Sequence, residues 1–288
     1  MNLEQIIQKS CACFANDPKR MIDILWSVQD QLGWISPETM VLIAKHTNTY
    51  RVEVEGVVSF YSFFHQKPQG KFIIYLCDDI IDRHAGMSDI EQTIKETLNI
   101  EPGQTTDDGL FSFHHTPCIG MSDQAPAALI NNIVVSKLSP TKIKKTLQTL
   151  KKHGCVDSLF KGTNPSYLDL VHRMVKSNIR KAGALLLDKH MSESGLEKAL
   201  SLYPNEIIDT LQASKLKGRG GAGFSLATKW QTAKNTEAPE SYVICNADEG
   251  EPGTFKDRVL LTERANLVFE GMTIAAYTIG SSQGILYL

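Results

Sequence analysis

Cysteine is scarce in this 288-residue chain, with six residues at positions 11, 13, 77, 118, 155 and 245. None forms a Cys-x-x-Cys pair, and the spacings do not suit the disulfide framework of a secreted protein. Cys11 and Cys13 lie on a predicted helix, where two steps of about 100° turn their thiols some 200° apart, so that pair alone does not chelate. An excess of one charge is also missing. Thirty Lys and Arg stand against 32 Asp and Glu, for a net charge of −2. That balance leaves no basic footprint for nucleic acid and no polybasic patch for a membrane surface. Long apolar runs are absent too: the most apolar helical stretch, 267–279, is interrupted by Glu270 and is too short to span a bilayer. The first residues, Met-Asn-Leu-Glu-Gln, lack a basic-then-apolar signal. The expectation is a cytoplasmic protein with no membrane span and no nucleic-acid partner. Its length suggests two domains, and its 42% apolar content a sizeable core.

What is present is an ordered series of elements. Residues 1–65 read as helical, with Ile6, Ile7 and Cys11 on one face of a first helix. Asp17-Pro18 and Ser36-Pro37 each give an N-cap followed by proline at the first helical position. Met21, Ile24, Leu25, Val28 and Leu32 recur at helical spacing, and Tyr61, Phe63 and Phe64 read as core aromatics. After Gly70 the pattern changes. Residues 71–76 are a β-branched and aromatic strand, 88–98 a helix, and 111–113 a short strand. Residues 127–138 read as a hairpin turning at Asn131-Asn132, and Ser139-Pro140 starts a helix to about Lys152. This order is that of a thioredoxin-like α/β domain. Residues 153–199 read as a connector with some helix, containing a basic stretch at 176–181. Beyond it come a helix at 204–216, a strand at 242–245, a helix at 264–279 and a strand at 284–288. The chain stops within that last strand, so the expectation is a piece of a longer protein.

The densest chemistry lies at 218–258. Gly218, Gly220, Gly221 and Gly223 fall within six residues, with Arg219 and Phe224 among them and Lys229 just beyond. A lone G-x-G-x-x-G match is weak evidence, and here a helix rather than a strand precedes the glycines. That order rules out a Rossmann fingerprint, and the lack of a following Gly-Lys-Ser/Thr rules out a Walker loop. What survives is physical: glycines allow positive φ and close backbone approach, and their N–H groups can form an anion-binding nest. Arg219 and Lys229 add positive charge, and Phe224 an apolar face. About twenty residues on, directly after a strand, Asn246, Asp248, Glu249 and Glu251 crowd together, where they could accept from ribose or ribityl hydroxyls. A surface turn, a solvated acidic loop and a Mg²⁺ or Ca²⁺ site stand as the competing readings of these segments.

The run Leu216-Lys217-Gly218-Arg219-Gly220-Gly221-Ala222-Gly223-Phe224, followed by Cys245-Asn246-Ala247-Asp248-Glu249-Gly250-Glu251-Pro252-Gly253-Thr254-Phe255-Lys256-Asp257-Arg258, resembles the NADH-binding FMN flavoprotein subunit of respiratory complex I. The same domain occurs in NAD-reducing hydrogenases and NAD-dependent formate dehydrogenases. Residues 1–152, through Gly56-Val57-Val58-Ser59-Phe60-Tyr61-Ser62-Phe63-Phe64 and Thr116-Pro117-Cys118-Ile119-Gly120, resemble the small thioredoxin-like subunit of complex I. Fusion of the two resembles the diaphorase flavoprotein subunits of soluble NAD-reducing hydrogenases. The resemblance implies an α/β chain with a helical segment and thioredoxin-like domain (1–152), a connector (153–199) and the start of an FMN-binding domain (200–288). It implies that FMN contacts Gly218, Arg219, Gly220, Lys229, Asn246, Asp248 and Glu249, and that NAD(H) lies over the flavin against Gly221, Phe224 and Glu251. None of these is a catalytic acid or base. The implied partners are an iron–sulfur electron-transfer subunit and hydrogenase or formate dehydrogenase subunits. A [4Fe–4S] motif is expected only beyond Leu288.

One departure stands out. The small subunit resembled here holds a [2Fe–2S] cluster through Cys-x4-Cys and Cys-x3-Cys. Cys77 and Cys118 match the first member of each pair, but Asp82 and Ser122 occupy the second. Clusters of this kind are held by four thiolates. The expectation is a degenerate domain with no metal, in which Cys77 and Cys118 are remnants.

Overall fold

The computed structural model describes residues 2–159 and 194–288. The basic stretch at 176–181, and most of the connector, lie outside the described residues. The chain divides into two compact units, Met1–Ile119 with Gln124–Met174, and Gly120–Asp123 with Val175–Leu288.

The first unit opens with four helices: α1 (Leu3–Cys13), α2 (Met21–Leu32), α3 (Pro37–Thr47) and α4 (Arg51–Phe60). Their starts follow from local chemistry. The side chain of Asn2 accepts the Gln5 N–H, that of Asp17 the Lys19 N–H on a 3₁₀ turn leading into α2, and that of Ser36 the Thr39 N–H. Each satisfies an otherwise orphaned donor. Ile7, Cys11, Ile24, Leu25, Val28, Met40, Ile43, Val54 and Val58 bury together as one cluster. Phe64 is buried in it, while Tyr61 and Phe63 pack at its margin. Trp26 stacks on Phe63 with ring centroids 5.0 Å apart.

The sheet of this unit runs β2-β3-β1-β4-β5. Its strands are β1 (Phe72–Cys77), β2 (Gln104–Thr105), β3 (Phe111–Thr116), β4 (Ala128–Ile130) and β5 (Ile133–Val135). β1 and β3 are parallel with Phe72 opposite Phe111, whereas β4 runs antiparallel to β1 and pairs with β5 in a hairpin. Asn131 turns that hairpin at φ 52°, and its side chain also accepts the Ile73 N–H at 2.8 Å, tying the turn to the strand beside it. Helix α5 (Ile80–His84) follows β1, α6 (Met87–Leu98) joins β1 toward β3, and α7 (Pro140–His153) follows the hairpin. Phe72, Ile74, Phe111 and Phe113 pack with Ile90, Ile94, Ile143, Leu147 and Leu150 as a second apolar cluster. Full burial of each such side chain stabilises by roughly 1.5–3 kcal/mol. Gly70 is required by close approach: a Cβ there would lie 2.7 Å from the Phe111 carbonyl carbon.

His65, Tyr75 and His114 join the helices to the sheet. The His65 N–H donates to Gln29 Oε1 of α2 at 2.7 Å, and the Ile35 N–H donates to the His65 carbonyl. Its ring stacks on Tyr75 and His114, and His114 Nε2 bonds Gln69 Oε1. Burial, with the neighbouring His114, pushes His65 down to about 4, and burial lowers His114 too.

In the second unit, helix α12 (Ala265–Ile279) is the common support. Against it pack α8 (Ser194–Leu200), α9 (Pro204–Ser214), α10 (Leu226–Asn235), α11 (Lys256–Glu263) and a parallel pair, β6 (Tyr242–Asn246) with β7 (Gln283–Tyr287). Glu270, the charge that breaks the apolar run of α12, accepts the Leu196 N–H at 2.8 Å and so caps α8. Sequence reading misses α5, α10, α11 and the two-residue β2.

Candidate functional site

The glycine run forms a loop closed at its base. Gly218 donates its N–H to the Phe224 carbonyl at 2.8 Å, the Leu226 N–H donates to the Leu216 carbonyl at 3.0 Å, and Lys217 bridges Ser225. Ser225 then caps α10 by accepting the Thr228 N–H. A helix therefore follows the glycines directly, although none of the described strands leads into them. Gly221 and Gly223 take φ of 102° and 60°, a region that L side chains avoid. A Cβ placed on Gly220, Gly221 or Gly223 would meet nothing within 4 Å, and one on Gly218 only the Phe224 carbonyl at 3.7 Å. Packing inside the protein does not call for bare backbone here. The loop instead presents open peptide edges, with the exposed side chains of Arg219 and Phe224 within it and that of Lys229 on the first turn of α10.

The acidic segment leaves the carboxyl end of β6 and enters α11. Asn246, Asp248 and Glu251 are exposed. Glu249 has a different placement. At φ 49° its carboxylate turns back and accepts the N–H groups of Asp257 at 2.7 Å and Arg258 at 3.0 Å. It supplies the negative charge and acceptors that the N-terminus of α11 needs. Sequence position alone groups Glu249 with the ligand-facing acids, whereas the structure assigns its oxygens to the helix. Lys256 pairs with Asp257 at 2.5 Å. Open peptide N–H groups with two cations, and an amide with free carboxylates after a strand, form a donor set that fits a nucleotide with phosphate at one end and hydroxyls at the other.

The first unit holds a second constellation. Cys77 ends β1, Asp79 caps α5, and Asp82 lies on α5; one ligand atom from each falls within 4.8 Å of the other two. Asp79 Oδ1 accepts the N–H groups of Ile81 and Asp82 at 2.7 and 2.9 Å. Burial works to raise its carboxyl, yet these bonds and the Cys118 thiol hold it below the ordinary range. Asp82 is almost fully buried and accepts the Ala127 N–H at 2.8 Å. Burial pushes its carboxyl up against the hydrogen bond from Cys77. Burial and the Asp82 carboxylate push the Cys77 thiol up to about 12, and that thiol also reaches the Pro117 carbonyl at 3.6 Å. Ser122, which lies on a 3₁₀ turn and is largely buried, falls in the second unit rather than in this one. Two thiols, a carboxyl and a hydroxyl do not make the four-thiolate set of a [2Fe–2S] cluster.

These features define a thioredoxin-like module joined to a flavoprotein-type α/β module, the α/β class anticipated from sequence. Residues 4–151 match the family model of the thioredoxin-like [2Fe–2S] ferredoxins, and residues 211–288 match that of the Nuo51 FMN-binding domain. The chain belongs to the thioredoxin-like [2Fe–2S] ferredoxin family and continues into the Nuo51-type domain. It is 41% identical over 281 residues to the alpha subunit of the NAD-reducing hydrogenase HoxS of Cupriavidus necator, covering 96% of this chain and 46% of that subunit. It is 44% identical over 94 residues to the HndC subunit of the NADP-reducing hydrogenase of Solidesulfovibrio fructosivorans, covering 33% of this chain and 19% of that protein. A crystal structure of an NAD+-reducing [NiFe]-hydrogenase in its H2-reduced state superposes with a TM-score of 0.73 at 34% identity, covering 93% of this chain and 45% of that one. The chain thus spans less than half the length of the hydrogenase relatives it matches. Among the described residues no helix is long and apolar enough to cross a membrane.

Proposed function

We propose that this chain is the NAD(H)- and FMN-binding part of a diaphorase that passes electrons between NAD(H) and iron–sulfur clusters of an NAD-reducing hydrogenase in the cytoplasm. The observation that carries the reading is the base-closed glycine loop, whose Cβ positions open onto empty space. The likeness over 96% of the chain to a hydrogenase subunit favours that enzyme over a formate dehydrogenase or a complex I-like assembly.

In this reading the N–H groups of Gly218 and Gly220, with the Arg219 and Lys229 cations, hold the FMN phosphate. Asn246 and Asp248 accept from its ribityl hydroxyls. Gly221 and Phe224 leave a flat face for the nicotinamide, and Glu251 accepts from the hydroxyls of the nicotinamide nucleotide. Bound FMN would supply the conversion between two-electron hydride chemistry and one-electron transfer. The protein's part is orientation and exclusion of water; no side chain here must donate or take a proton at the hydride step. Residues 175–288 contain one cysteine, Cys245, so a [4Fe–4S] acceptor in this reading is held outside them, on the diaphorase or on an iron–sulfur partner subunit.

The test is titration of the purified chain with FMN, followed by NADH under anaerobic conditions. Saturable flavin binding and bleaching of the oxidised flavin band by NADH support the reading. A chain that takes up neither nucleotide refutes it.

A further inference from the structure

The pocket at the end of β1 is more than a cluster site with pieces missing. Asp82 and Ala127 tie it together in a way that four cysteines would not. The Cys77 N–H donates to the Ala127 carbonyl at 3.0 Å, and the Ala127 N–H donates to Asp82 Oδ1 at 2.8 Å. The Cys77 sulfur lies within 4.8 Å of an Asp82 carboxyl oxygen. The end of β1, helix α5 and the segment entering β4 are therefore stitched through one buried carboxyl. The other thiol, Cys118, is bonded to Asp79, whose Oδ1 caps α5. Each sulfur thus already lies beside a carboxyl, and the carboxyls are committed to backbone N–H groups.

We infer that Asp82 has replaced a metal cluster as the cross-link of this pocket, so that residues 4–151 are a scaffold that carries no [2Fe–2S] cluster. Two of the four cluster positions fail here on donor chemistry: a carboxyl stands at the second position of the first cysteine pair and a hydroxyl at that of the second. What the fold would lose with the cluster, a clamp on the end of β1, the Asp82 carboxyl restores by accepting a buried peptide N–H. The inference is independent of the nucleotide assignment in the second unit.

The experiment uses the full chain. After anaerobic reconstitution with iron and sulfide, the unaltered protein should hold neither in stoichiometric amount. The double variant Asp82→Cys/Ser122→Cys should gain two irons and two sulfides per chain, the content of the cluster, with visible charge-transfer absorption. Asp82→Asn, which keeps an acceptor for Ala127, should melt within a few degrees of the parent. Asp82→Ala should melt lower by roughly 5 °C, because it leaves a buried N–H unpaired. Stoichiometric iron and sulfide in the unaltered protein would overturn the inference. So would stoichiometric uptake of a single ion such as Zn²⁺ by Cys77, Asp79 and Asp82. A double variant that folds by circular dichroism yet takes up no iron would also count against it. Equal melting of the Asn and Ala variants would show that Asp82 is not a cross-link.

Discussion

The carboxylate of Glu249 and the backbone N–H of Asp257 meet at 2.7 Å across a loop of intervening residues, and the same carboxylate takes the next N–H, that of Arg258. The acidic segment is therefore shaped by one of its own acids. Glu249→Ala should destabilise α11 by about 1 kcal/mol, the usual size of a lost cap. Hydrogen exchange at the Asp257 and Arg258 amides should quicken, and Glu249→Gln, which keeps an acceptor, should recover part of the protection. Unchanged exchange in the Ala variant would remove Glu249 from this role.

Glu251 is exposed on the same loop and makes no such bond to α11. In the proposed diaphorase reading it faces the nicotinamide nucleotide. Glu251→Lys should then weaken NADH binding by about tenfold, equivalent to 1.4 kcal/mol. FMN affinity should stay within twofold. Calorimetric titration with each nucleotide separates the two effects, and an equal loss for both would move Glu251 to the flavin.

The stacked His65, Tyr75 and His114 give the first unit a pH dependence of definite sign. His65 is held down to about 4 by burial and by His114, against an ordinary value near 6.5. Above about 6.5 both folded and unfolded chains carry it neutral, and its contribution to stability is fully present. As pH falls from about 6.5 toward 4, the unfolded chain binds a proton that the folded chain does not, and stability is lost. His114 is shifted in the same direction. Melting temperatures measured across this window should fall with pH. The slope should shrink in a His65→Gln/His114→Gln double variant, provided that it folds; an unaltered slope there would assign the dependence elsewhere.

Two glycines should respond oppositely to the same substitution. Gly70→Ala drives a methyl to 2.7 Å from the backbone of Phe111, where no side chain can yield, so a loss of roughly 2 kcal/mol or more is expected. Gly56 lies inside α4 with nothing within 4 Å of a new Cβ. There Gly56→Ala should stabilise by roughly 0.5–1 kcal/mol. Denaturant midpoints at constant m-value report both.

Much of this architecture was readable because its signals are local. Asp17-Pro18, Ser36-Pro37 and Ser139-Pro140 place cap and proline side by side, and each marks a helical start in the structure. The hairpin at Asn131 follows from a residue that tolerates the left-handed region. Helix α11 was hidden for the opposite reason. Its cap comes from Glu249, eight residues before Asp257, and no short window contains both. Helix α5 is only five residues long, too short for a periodic pattern, although Asp79 caps it. The residues proposed to hold the nucleotides stand out in the sequence as a group through the paired glycine and acidic segments. Which acid faces outward depends on the φ of 49° at Glu249, and a string of letters does not carry that.

The two apolar clusters of the first unit share no residue, and one is built entirely within residues 7–64, the other from residues 72–150. The helical cluster closes over short stretches of chain, whereas the sheet must bring Phe72 beside Phe111 and Ile74 beside Ile130 before it gains anything. Contacts close in sequence cost less loop entropy and form sooner. Residues 7–64 can therefore bury together before the β4–β5 hairpin has paired with β1. The stacking of the His65 ring on Tyr75 and His114 of the sheet would then be the late step that joins two already different histories.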